Sequence, residues 1–307
     1  MSQNKIVCFI GLMFFANLCG SEEVPEVFGR ALDQDRIQLA SVKAAIFDPE
    51  TGALLYAKNE TVPAPIASIT KLMTAIVVLD GGQDLDELLT IKKVDRNTDN
   101  NGYSRMRIGS ELSRGDLMLL ALMASENLAA SNLALHYPGG FEVFIEAMNT
   151  KAQALGMVNT HFVDASGLSE NNQSTAADLV KMIAAASQYP EIRQFTTTRQ
   201  FTATFNNPRY SLAYGNTNRL IQRQSWDVKV SKTGYLDEAG RCLVMMTEID
   251  GKEIAMVLLD SFGKLTPIGD AGRVKRWLTT GDGGRVAGAA LQYEKDKTSQ
   301  LTVLANQ

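Results

Sequence analysis

The chain has 307 residues, of which 45% are hydrophobic and 21% charged, with a formal net charge of -4. That apolar content supports a substantial core and excludes a disordered chain. Its Lys and Arg are scattered, which excludes a nucleic-acid binder, because phosphate partners require clustered cations.

Residues 1–20 stand apart from the rest. Lys5 in a short polar start precedes an apolar run from Ile6 to Cys19, and then the acidic Ser21-Glu22-Glu23. This is the pattern of a cleaved secretory signal peptide, followed by a lead over 21–38. The run is about 14 residues, short of the roughly 20 a spanning helix needs. An uncleaved anchor is the alternative, and Leu18 before Cys19 argues against lipid attachment. Cys8 and Cys19 fall in this segment. Cys242 then remains, in an apolar run over 242–246 that suits a buried, inert thiol.

Downstream, Val42 to Lys58 reads as a β-hairpin around Asp48-Pro49-Glu50-Thr51-Gly52. From Ser68, the apolar residues Ile69, Leu72, Met73, Ile76 and Leu79 recur at helical spacing until Gly81-Gly82. Further helices are predicted over Asp116–Ala124, Leu128–His136, Phe141–Leu155 and Ala176–Ala186, the last opened by a capping box of Thr175 and Asp178. Strand patterns return after Phe195. They end in a hairpin, Leu243–Ile249 and Ile254–Leu259, around Asp250-Gly251. A short amphipathic helix, Arg273–Leu278, carries Trp277 back onto the sheet. The tail over 282–307 is Gly-rich and then polar, and is expected to be poorly ordered. The predicted class is therefore α+β: an antiparallel sheet shared by the first and last segments and flanked by helices, with a helical lobe inserted at about 80–190.

Three short motifs carry chemistry. Serine β-lactamases and penicillin-binding proteins combine S-x-x-K, S-x-N and K-T-G. S-x-x-K occurs three times, at Ser2, Ser68 and Ser261. Only Ser68 opens a buried helix, where Lys71 one turn later lies on its face and free backbone NH groups favour negative charge. Taken in isolation, Ser68 reads better as a simple N-cap. S-x-N occurs as Ser125-Glu126-Asn127 between two apolar helices, and as Ser169-Glu170-Asn171 in a polar loop. The first has the rigid setting a cleft needs. Lys232-Thr233-Gly234 ends a strand-like run, where a missing Cβ would let a ligand backbone approach the strand edge. A solvated Lys at a strand tip is the bland alternative for that element.

Together, in this order, the motifs make the chain resemble the low-molecular-mass penicillin-binding proteins of the D-alanyl-D-alanine carboxypeptidase and endopeptidase family, over roughly Leu39 to Gly281. The runs Ala165-Ser166-Gly167-Leu168, Ser174-Thr175-Ala176, Lys232-Thr233-Gly234-Tyr235 and Ala239-Gly240-Arg241-Cys242 resemble its endopeptidase branch. The resemblance implies a β-lactamase/transpeptidase-like fold in one penicillin-binding domain over 39–281. It makes Ser68 the acylated nucleophile, Lys71 its proton acceptor and Ser125 a relay to the leaving amine. It gives Asn127, Lys232, Thr233, Gly234 and Tyr235 to substrate binding, with an oxyanion hole from the NH groups of Ser68 and Tyr235. For Lys71 to accept a proton near neutral pH, burial and the nearby Lys232 cation must lower its pKa. The implied partners are peptidoglycan stem peptides, with β-lactams as covalent inhibitors, and no cofactor or metal is called for.

Two departures matter. Carboxypeptidase relatives often carry N-R-N where this chain reads Asn216-Thr217-Asn218, so the demand for a free terminal carboxylate is weaker unless the adjacent Arg219 compensates. They also commonly add a β-rich domain and an amphipathic anchor, neither of which is visible here. The expectation is a periplasmic enzyme, without a stable membrane anchor, that cleaves D-alanyl cross-links. A carboxypeptidase and a β-lactam-binding module without turnover are the competing readings. A β-lactamase is disfavoured by the lack of an E-x-x-L-N segment. A metal hydrolase or His-based triad is disfavoured because the two histidines, His136 and His161, lack suitable spacing or a nucleophile elbow.

Overall fold

The computed structural model describes residues 26, 27, 29–94 and 104–305, and the expected signal segment, with Cys8 and Cys19, lies outside them. Five antiparallel strands form the central sheet: β1 (Lys43–Asp48), β2 (Ala53–Lys58), β3 (Asp227–Leu236), β4 (Gly240–Ile249) and β5 (Lys252–Ser261). Their spatial order is β3-β4-β5-β1-β2, so the first and last parts of the chain share one sheet, as the sequence predicts. The β4–β5 turn places Asp250 and Gly251 at φ 47° and 84°, the two left-handed positions of a tight hairpin.

Residue alternation feeds two cores. On β5, Ala255, Val257 and Leu259 face the helical side, while Ile254, Met256 and Leu258 face the opposite layer. Both faces are covered, which is why this strand reads as a nearly unbroken apolar run. The first core centres on α1 (Lys71–Asp80), which is buried from Lys71 to Val78. Around it lie α2 (Arg114–Met123), α3 (Asn127–Leu135), α4 (Gly140–Ala154), α5 (Ala176–Ala186) and α6 (Pro190–Thr197). Thr175 caps α5 by accepting from the Asp178 amide. The helix α6, with Pro190 at its start, has no counterpart in the sequence reading.

The second core lies under α7 (Thr266–Thr280), where Trp277 is fully buried, meets Tyr56 edge-on at 6.2 Å and donates from Nε1 to the Asp33 carbonyl at 2.8 Å. The tail departs from expectation. Instead of an unordered segment, 288–305 forms α8 (Gly288–Ala305), held by Lys58 to Glu294 at 2.9 Å and by the Tyr293 hydroxyl to Asp260 at 2.6 Å. Its packing relies on polar anchors, with Ala290 as the buried apolar point, so apolar periodicity could not reveal it.

Candidate active site

Ser68 lies in the opening turn, as the sequence reading places it, but that turn is 3-10 (Ala67–Thr70) and leads into α1. The difference helps the chemistry. In a 3-10 turn side chains three residues apart eclipse one another, and Lys71 Nζ lies 2.8 Å from Ser68 Oγ. Ala67, just before Ser68, has φ 47°. Its peptide is flanked by two glycines. A Cβ on Gly167 would stand 1.9 Å from the Ala67 carbonyl oxygen, and one on Gly234 would stand 3.1 Å from the Ser68 nitrogen. Gly234 thus lets strand β3 pass beside the Ser68 amide, so the missing Cβ makes room for the protein's own backbone where the sequence reading expects a ligand's.

Lys71 is fully buried and reaches three acceptors: Ser68 Oγ, Asn127 Oδ1 at 2.7 Å and the Ser166 carbonyl. Those acceptors come from three separate elements. Asn127 opens α3, whose N-cap is Glu126. Ser166 belongs to a loop wound around Asp164, whose carboxylate accepts from the amides of Ser166, Gly167 and Ser169. Buried Asn172 closes the loop, accepting from Val163 and Asp164 amides and donating to Thr70 Oγ1 at 3.1 Å. The roles of Ser166, Asp164 and Asn172 are missing from the sequence reading, although Ala165-Ser166-Gly167-Leu168 marked the place. The second S-x-N copy lies on this same loop, and its Asn171 is exposed.

Across the cleft, Lys232 on β3 donates to Ser125 Oγ at 2.9 Å and to the Thr233 carbonyl at 2.8 Å. Ser125 lies in the α2–α3 turn at φ 60°, a conformation that costs energy in a non-glycine residue and is common at functional sites. Burial, reinforced by the charge of Lys71, holds the Lys232 ammonium well below the usual lysine range. Beside it, Thr233 Oγ1 donates to Thr217 Oγ1 at 2.7 Å. Thr217 therefore presents a neutral hydroxyl, while Arg219 is exposed in the following 3-10 turn. Tyr235 follows on β3, partly exposed, with the Arg241 guanidinium 3.5 Å above its ring centre. The structure thus forms two hydrogen-bonded groups, Lys71 with Ser68 and Asn127, and Lys232 with Ser125, which strand β3 brings side by side where Gly234 passes the Ser68 amide, with Thr233 and Tyr235 on the same strand.

The remaining candidates take no part in it. Cys242 is buried and its thiol is pushed up to about 12, chiefly by desolvation. His136 Nε2 pairs with the Thr90 carbonyl at 2.9 Å, and His161 pairs through its backbone with Gln173.

Comparison with known proteins agrees with this geometry. The model of the D-alanyl-D-alanine carboxypeptidase family, peptidase family S11, matches residues 30–263. A D-alanyl-D-alanine endopeptidase of Escherichia coli K12 is 49% identical over 265 residues, covering 86% of this chain and 85% of the relative. One from Pseudomonas aeruginosa is 47% identical over 293 residues, covering 95% and 94%. Among solved structures, the Streptomyces K15 DD-transpeptidase superposes with a TM-score of 0.73 at 28% identity, covering 80% of this chain and 98% of that one. Penicillin-binding protein D2 of Listeria monocytogenes, in its cefotaxime-bound form, gives 0.69 at 29% identity over 80% and 99%. With the family's model matched across most of its length, this chain belongs to the D-alanyl-D-alanine carboxypeptidase family of serine peptidases.

Proposed function

We propose that this serine DD-peptidase is an endopeptidase that opens D-alanyl cross-links in peptidoglycan through an acyl-enzyme on Ser68. The endopeptidase reading is carried by the two relatives of that name at 49% and 47% identity. The neutral Thr217–Thr233 hydroxyl pair supports it, since no cation is tied there to a terminal carboxylate.

The steps follow from the cluster. Ser68 Oγ attacks the D-alanyl carbonyl carbon as Lys71, in its neutral form, takes the hydroxyl proton. The carbonyl oxygen gains negative charge, and the amides of Ser68 and Tyr235 stabilise it. The C–N bond then breaks, and the leaving amine receives a proton relayed through Ser125, whose hydroxyl Lys232 holds in place. Water attacks the resulting ester with Lys71 again accepting a proton, which frees a D-alanyl carboxylate and restores Ser68. Asn127 and the Ser166 carbonyl keep Lys71 aimed at Ser68 throughout. We further propose that β-lactams acylate the same serine, and that the signal segment at 1–20 delivers the enzyme to the periplasm. No helix among the described residues is long and apolar enough to cross a membrane.

The test is incubation of purified protein with cross-linked muropeptides. Conversion of dimers to monomers is the expected result. Loss of one terminal D-Ala instead identifies a carboxypeptidase, and no product identifies a binding module. Replacing Ser68→Ala should lower turnover by at least ~10,000-fold and abolish penicillin labelling. Labelling that survives moves the nucleophile elsewhere.

A further inference from the structure

Arg241 is a cation that the mechanism does not use. It lies on β4 directly opposite Tyr235 of β3, in antiparallel register. Its guanidinium stacks 3.5 Å above the Tyr235 ring centre, and the Tyr235 hydroxyl donates to Asp237, which holds the ring from its far end. Arg241 is half-buried, yet its five N–H donors have no hydrogen-bond or ion-pair partner among the described residues. The nearby carboxylate of Asp237 is already engaged by Tyr235. A planar, pre-oriented fork of donors left open in this way matches a carboxylate.

Its place beside β3 is defined by the same register. Tyr235 and Thr233 are two residues apart on one strand, so their side chains share a strand face. Along that face run the hydroxyls of Thr217 and Thr233, then the Tyr235 ring, then the Arg241 guanidinium. Lys232 and Gly234 alternate onto the other face, toward Ser125 and Ser68, so the Arg241 guanidinium stands at the β3 edge beyond Thr233 rather than inside the lysine-lined cleft.

We propose that Arg241, braced on Tyr235, receives a carboxylate of the substrate stem peptide and so selects anionic stems. The proposal rests on the DD-peptidase reading above and adds a specificity-determining residue to it. Arg241 is a binding residue: it touches substrate and moves no proton. The carboxylate has two sources, the one beside the scissile amide and the side-chain carboxylate of the stem's diamino acid, and both offer the same bidentate acceptor.

The experiment compares the wild-type protein with Arg241→Gln and Arg241→Lys on three muropeptide dimers: one unmodified, one amidated at the carboxylate beside the scissile bond, and one amidated at the stem side chain. For the unmodified dimer, Arg241→Gln should lower kcat/KM by about 10- to 100-fold, mainly through KM, with partial recovery in Arg241→Lys. For the dimer that lacks the recognised carboxylate, wild type and Arg241→Gln should differ by less than about 3-fold, and which dimer behaves so identifies the source. Equal losses on all three dimers, or none on any, overturn the proposal. Penicillin labelling of Ser68 in each variant separates a misfolded site from a lost contact, and Tyr235→Leu, which removes the ring beneath Arg241, should reproduce the KM effect if the first variant fails to fold. A wild-type protein that neither cleaves dimers nor labels overturns the function reading, and this proposal with it. A wild type that cleaves while Arg241→Gln is indifferent overturns this proposal alone.

Discussion

Lys71 and Lys232 are at most 1% exposed, which sets two amines in a desolvated cleft where an ammonium keeps its charge only as far as its hydrogen-bond partners replace the lost water. For Lys232 the folded protein holds the proton less firmly than the unfolded chain, so between its depressed value and 10.5 the unfolded state binds more protons. Stability therefore rises with pH across that window, and the cost is largest below it. Urea unfolding from pH 7 to 10 should show this rise in the wild type and a smaller one in Lys232→Met; identical slopes would mean that Lys232 is charged in the fold. Turnover should likewise show an ionisation below the free-lysine range. Gly167 is a second single-residue test. At φ 77°, with the Ala67 oxygen 1.9 Å from any Cβ, Gly167→Ala should cost about 2 kcal/mol or more and slow acylation by moving the Ala67–Ser68 peptide. The three motifs are legible from sequence because each is contiguous. Ser166 is not, since it acts through its carbonyl oxygen, which any residue possesses.

At the level of elements, the reading agrees with the Thr175 cap of α5 and the Gly81 stop of α1, but it starts α2 at Asp116 instead of Arg114 and α7 at Arg273 instead of Thr266, missing the Ser113 cap and the Pro267 first turn. The sequence places Ser68 in the helix, and the 3-10 turn was invisible because its apolar spacing continues that of α1. The buried Asp270 on α7 shows how elements are fastened together. It accepts from the Ala40 and Ser41 amides at 3.0 and 2.7 Å, from Ser41 Oγ at 2.6 Å and from Arg273 Nη2 at 2.6 Å. Asp270→Ala leaves those donors buried without their acceptor and should destabilise the protein by about 3–5 kcal/mol, read by denaturant unfolding. A cost under about 1 kcal/mol would show that the α7–lead junction is not held by this carboxylate.

Across the whole molecule, the sheet separates two cores, one behind the active site and one beneath α7 and α8. The helix α8 touches the sheet through Tyr293 and Glu294, which bond Asp260 and Lys58 and not Ser68, Lys71, Ser125 or Lys232. Deleting 288–305 should therefore lower stability by about 1–3 kcal/mol, through the lost Tyr293–Asp260 and Lys58–Glu294 contacts, while penicillin labelling of Ser68 persists. Loss of labelling in a folded truncation would instead tie α8 to the site. From sequence alone came the α+β class, the shared first and last strands, and the family to which Ser68, Ser125 and Lys232 point, because strand alternation, helical spacing and contiguous motifs are local properties of a chain. The tertiary structure decided which S-x-N copy meets Lys71, that Ser166 completes its acceptors, that the tail is helical, and that Arg241 stands open beside Tyr235. The first three depend on segments tens of residues apart meeting in space, and the last on the register of β3 against β4, which no local pattern encodes.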